Sequence, residues 1–166
     1  LSYYTFGFSY PLWIALGIVS MLVILSVSDI SYMIIPDEVL IFFAGYFLII
    51  IALQSGVMPA LISFLNGLFL FAIMYGIMLL GNFLFKKETL GGGDIKMMFV
   101  IGIVLNPIIG LVSIFLGSFL ALPVSILFLL KKHQNLIPFG PFLGMASLII
   151  FVSGVTFSEI INYIVN

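Results

Sequence analysis

The chain has 166 residues, of which 64% are hydrophobic and 7% charged, with a mean hydropathy of +1.42. Soluble domains are roughly half apolar and about a quarter charged, so this composition excludes a soluble enzyme and a disordered tail. A net charge of -1, from five lysines, no arginine and six acids, argues against a nucleic-acid partner, and the lack of cysteine excludes disulfides, a thiol nucleophile and cysteine-ligated metal.

Six apolar runs follow one another, over residues 11–27, 39–53, 58–85, 95–105, 107–130 and 139–165. None shows the period-2 alternation of a barrel strand, and backbone in lipid must satisfy its own polar groups, so each run reads as a helix. The predicted fold is all-α: a polytopic membrane protein, a bundle of about six transmembrane helices forming one domain over residues 1–166. Turn chemistry marks the breaks at Ile34-Ile35-Pro36-Asp37, Gln54-Ser55-Gly56, Leu90-Gly91-Gly92-Gly93, Asn106-Pro107 and Pro138-Phe139-Gly140-Pro141.

The fourth run is short. About 11 residues at 1.5 Å each cover roughly half of a 30 Å hydrocarbon core, as a re-entrant piece or a short helix in a thinned region. If runs four and five turn near Asn106-Pro107, then Lys86, Lys87, Lys96, Lys131 and Lys132 all reach one face, and the opposite face carries no lysine. The positive-inside rule then puts that face in the cytoplasm and both termini outside, in the inner or plasma membrane. The chain begins at Leu1 rather than Met, which leaves room for an upstream segment, and no stretch resembles a cleaved signal peptide.

The six acids divide into two groups. Glu88 lies between lysines in a cytoplasmic loop, Glu159 near the far end of the last run, and Glu38 at a helix start where acids complement the macrodipole. Asp29 and Asp94 are different. Asp29 ends the first run with no lysine near it in sequence, and Asp94 opens the fourth directly after three glycines. The topology brings both to one membrane face, and an ionisable group at the edge of the hydrocarbon is a functional candidate. The plain structural alternatives are a helix cap for Asp94 and a lysine partner, such as Lys96, for Asp29. Asp37 competes for the first position, against a role as N-cap of the second helix.

Two neighbouring carboxylates share a proton, so the ionised one can deprotonate water while the protonated one polarises a carbonyl. That is general acid–base hydrolysis of an amide, without metal, cofactor or covalent nucleophile. Gly91 and Gly93 let a substrate backbone approach closely, and Lys96 supports the pair electrostatically or anchors the chain at the interface. His133 has no second ligand beside it, so no metal site is expected, and no G-x-S-x-G pattern signals a serine nucleophile.

Three segments carry a resemblance. Leu90-Gly91-Gly92-Gly93-Asp94-Ile95-Lys96 resembles the G-x-G-D-x-K motif of type IV prepilin peptidases, and Ser28-Asp29-Ile30 ahead of Ile35-Pro36-Asp37 is similar to the family's first motif. Ile137-Pro138-Phe139-Gly140-Pro141-Phe142-Leu143 resembles its third signature, P-F-G-P-x-L. The resemblance implies an aspartic endopeptidase that cuts the leader from type IV prepilins and from type II secretion or competence pseudopilins, next to their apolar helix, at the cytoplasmic face. It implies Asp29 and Asp94 as the catalytic pair, with substrate and lipid as partners. Many members also carry an N-terminal portion with a cysteine-rich loop linked to methylation. With no cysteine here, the expectation is a peptidase core without it. The alternative from another class is a small ion- or proton-coupled transporter, since acids beside glycine-broken helices also occur there. A non-catalytic scaffold for a pilus or secretion machine is a third.

Overall fold

A computed structural model describes residues 10–32, 34–86, 90–130 and 139–154. Six helices run through them: α1 (Tyr10–Tyr32), α2 (Asp37–Ser55), α3 (Val57–Phe85), α4 (Gly92–Val104), α5 (Pro107–Leu130) and α6 (Gly140–Ser153). No strand occurs among the described residues. Four helices, α1, α2, α3 and most of α5, are long and apolar enough to cross a bilayer, so the protein is a multi-pass membrane protein. Lys87, Glu88, Lys131, Lys132, His133, Pro138 and Glu159 lie outside the described residues.

The breaks fall where turn chemistry puts them. Pro36 is the N-cap of α2, with φ -67°, and its ring forces Ile35 out of the helical region, which separates α1 from α2. Gly56 alone joins α2 to α3 at φ +98°, a backbone conformation that side-chain-bearing residues rarely adopt. Asn106 caps α5 by accepting the Ile108 N–H at 3.3 Å, and Pro107 takes the first helical position, where its missing donor costs nothing. Hydroxyls inside the helices turn back onto their own backbone, as in Ser113 to Gly110 at 2.6 Å and Ser147 to Gly144 at 2.8 Å. That is how polar side chains persist where no water competes.

Helix α1 packs on α2 and α6, α2 on α3 and α4, and α5 on α3 and α6, with the closest association between α3 and α4. The outward surfaces of the long helices carry Ile41, Phe42, Phe83, Phe115 and Phe119, all exposed as a lipid-facing surface requires. Helix α4 is the exception. Ile95, Met97, Met98, Val100, Ile101, Gly102 and Ile103 are all buried, so this helix is covered by protein on most of its circumference. Its 13 residues span about 20 Å, short of the hydrocarbon core, which a helix sheathed by its neighbours tolerates better than one facing lipid.

Small residues set that association. A Cβ on Gly102 would lie 2.8 Å from the Gly67 Cα and 3.1 Å from the Asn66 carbonyl oxygen, and one on Gly67 would lie 2.6 Å from the Phe99 carbonyl oxygen. Backbones this close gain dispersion along their length, which is the main attraction between helices when lipid is as apolar as the side chains. Gly102→Val therefore forces α3 and α4 apart and costs about 1–3 kcal/mol, read as a lower unfolding temperature of the detergent-extracted protein. Gly76→Ala, on α3 with open space around it, leaves that temperature nearly unchanged.

Candidate active site

One end of the bundle gathers the end of α1 and the starts of α2, α4 and α6. Asp29, three residues from the end of α1, is 8% exposed, the most deeply buried charged side chain among the described residues. A carboxylate in that position needs a donor, and Gly140 supplies one: its N–H donates to Asp29 Oδ2 at 3.1 Å. Gly140 is the first residue of α6, where the backbone N–H groups have no partner within the helix and the dipole favours negative charge. The glycine is required by distance. A Cβ there would stand 2.8 Å from Asp29 Oδ2.

Asp94 is the third residue of α4, half-buried, and makes no side-chain cap bond. Gly91 takes the N-cap position in an extended conformation, so the helix-cap alternative for Asp94 is corrected. Asp94 and Asp29 are near enough for their charges to act on one another. Between the elements that bear them lies Ile35. A Cβ on Gly93 would meet Ile35 Cβ at 2.8 Å, and one on Gly140 would meet Ile35 Cδ1 at 3.4 Å. The Ile35 side chain thus packs against both glycines that flank the aspartates. Gly91 faces Asp94 itself, with Oδ2 3.3 Å from where its Cβ would be, whereas Gly92 points into open space.

Asp37 does not cap its helix. Pro36 occupies that position, and the Asp37 carboxylate instead accepts from Lys96 Nζ with both oxygens, at 2.8 and 2.7 Å. This also corrects the expectation of a lysine for Asp29: Lys96 is committed to Asp37, and Asp29 has a backbone donor. The two competitors for the first position are therefore unlike. Asp37 is exposed and charge-compensated, while Asp29 is buried and held by a backbone donor.

Sequence reasoning singled out Gly91, Gly93 and Lys96 but gave Gly140 and Ile35 no role. For Gly140 a signal was present, a glycine followed by proline at a helix start, although nothing in it pointed to Asp29. The extended step at Ile35 was legible from the following proline, but its seat on Gly93 was not. Ser28 Oγ holds the same stretch from the other side, donating to the Ile34 carbonyl at 2.7 Å.

A profile of the type IV leader peptidase family matches residues 16–126, a stretch that contains Asp29, Asp37, Asp94 and Lys96. The chain belongs to that family. The prepilin leader peptidase/N-methyltransferase of Bacillus subtilis (strain 168) is 31% identical to it over 159 residues, covering 90% of this chain. The chain spans 59% of that relative's length. No solved structure matches significantly.

In this family member the first and third glycines of the run face the site and the second does not. Gly93→Ala and Gly140→Ala should each cost about 1–3 kcal/mol, because the added methyl would stand 2.8 Å from the Ile35 Cβ in one case and from Asp29 Oδ2 in the other, so a neighbour must shift. Gly92→Ala should change stability by less than about 0.5 kcal/mol. Thermal unfolding of the three detergent-extracted variants checks the order.

Proposed function

We propose that this chain is an aspartic endopeptidase that removes the leader of type IV prepilins and pseudopilins at the cytoplasmic membrane face, with Asp29 and Asp94 as the catalytic pair. The observation that carries this reading is that the end of α1, which bears Asp29, the start of α4, which bears Asp94, and the start of α6 gather around Ile35 at one end of a membrane bundle. The B. subtilis relative's name supports the substrate class, and the order of the three sequence motifs supports the pair.

The chemistry follows from like charges in one place. Two adjacent carboxyl groups hold one proton between them, since ionising both costs repulsion that water screens poorly in a partly buried site. The ionised member takes a proton from a water, whose oxygen attacks the scissile carbonyl carbon. The protonated member donates to the carbonyl oxygen as it becomes tetrahedral. The proton taken from water then passes to the leaving nitrogen as the C–N bond breaks, and a hydroxyl of the tetrahedral intermediate returns its proton to the other carboxylate, so the pair regains its single proton and starting charge. Which aspartate is base belongs to the pair, not to either residue. The Gly140 N–H at Asp29 Oδ2 orients that carboxylate and leaves its other oxygen for water.

Purified protein tests this on a substrate with a leader joined to an apolar helix. Asp29→Asn and Asp94→Asn each remove detectable cleavage, and Asp37→Asn retains more activity than Asp29→Asn. Wild-type processing by either of the first two variants overturns the assignment. Liposomes loaded with an ion-sensitive dye give no flux, in contrast to a transporter.

Orientation has its own test, helped by a chain without cysteine. Lys86 closes α3 at the end of the bundle that holds the aspartates, and Gln54 lies by the α2–α3 turn at the other end; both are exposed. An impermeant maleimide reaches Lys86→Cys only from the cytoplasmic side and Gln54→Cys only from the opposite side. Labelling in the reverse sense removes the cytoplasmic site.

A further inference from the structure

We propose that the Asp37–Lys96 ion pair is a positioning clamp that sets the spacing of Asp29 and Asp94 by keeping Ile35 seated on Gly93. The inference rests on the peptidase reading above and assigns these two residues no contact with the water or the scissile bond.

The placement of the bridge carries the argument. Asp37 follows Ile35 by two residues, and Lys96 follows Gly93 by three, so the bridge closes within one turn of the Ile35–Gly93 contact on each chain segment. The segment between α1 and α2 is then held at both sides, by Ser28 on the Ile34 carbonyl and by Lys96 on Asp37. Release of the second hold frees the start of α2 to lift from α4. Ile35 would leave the gap between the glycines beside the two aspartates.

Other roles fit less well. Asp94 and Lys96 are two residues apart, which puts their side chains about 200° apart around the helix, so the ammonium faces away from the catalytic carboxyl. Its partner Asp37 also cancels most of its field there. Lys96 and Asp37 instead are the charged members of the lining of an otherwise apolar groove of about 430 Å³, beside Leu40, Leu68, Phe71 and Phe99. Both side chains remain half-exposed, 50% for Lys96 and 55% for Asp37, and water competes with such pairs, so little global stability depends on the bridge. Geometry at a reacting centre is far more sensitive to small displacements than stability is.

The experiment compares the full chain with Asp37→Asn, Lys96→Gln, Asp37→Glu and the charge exchange D37K/K96D, on one prepilin-type substrate. Each neutralising variant lowers kcat by about ten-fold or more, with KM within about two-fold and an unfolding temperature close to wild type. Asp37→Glu and the exchanged pair return to within about three-fold of wild type, because an ion pair of either polarity can hold the segments together. Wild-type kcat in the neutralising variants, a loss carried by KM, or no recovery on exchange each overturns the clamp. A second readout does not involve cleavage. Spin labels at Glu38→Cys and Gly92→Cys, both exposed, report the separation of the starts of α2 and α4. The separation lengthens or broadens in the neutralising variants and returns on exchange. If wild type fails to cut the substrate, the peptidase reading falls alone; if the label distances do not respond, the clamp falls alone.

Discussion

The close approach of α3 to α4 at Gly67 and Gly102 is the contact on which the rest of the architecture depends. It lets a helix of 13 residues run inside the bundle instead of against lipid. A helix that short cannot match the bilayer, and its first five residues include an acid and a lysine, so exposure to hydrocarbon would leave charges and terminal N–H groups unsatisfied. Sheathed by α2 and α3, it delivers Asp94 to the same end of the bundle as Asp29.

The described charged residues, Asp29, Asp37, Glu38, Lys86, Asp94 and Lys96, all lie at the end of α1, the starts of α2 and α4, or the end of α3. The bilayer's aversion to charge gathers them there, and burial and pairing then divide them. Asp37 shares its charge with Lys96 in the open, whereas Asp29 is enclosed, with a backbone N–H and a second carboxylate nearby. This contrast separates two aspartates only eight positions apart in a way that their sequence contexts do not.

The glycines follow from the same crowding. Four segments converge around Asp29, Asp94 and Ile35, and at Gly93 and Gly140 there is no room for a methyl group. Gly92 shares the run but faces outward, so the motif's tolerance at its middle position has a steric cause. The third motif, legible only as a proline-flanked helix start, acquires its reason here: it aims a free N–H at Asp29.

Composition and apolar run length alone determined that the chain is helical and crosses a membrane repeatedly, and turn chemistry alone placed the breaks at Pro36, Gly56 and Asn106. These are local effects, fixed by the bilayer's demand for internal hydrogen bonds and by backbone preferences of single residues. The isolated acids among so few charges also made Asp29 and Asp94 candidates from the chain alone. Only the tertiary structure decided that the fourth run is the enclosed one, since lipid and core are both apolar and periodicity carries no record of which face is which. It also decided the partners: Lys96 with Asp37 across 59 positions, and Gly140 with Asp29 across 111. Contacts at such separations exist only once helix packing has brought the segments together, and no pattern within either segment encodes them.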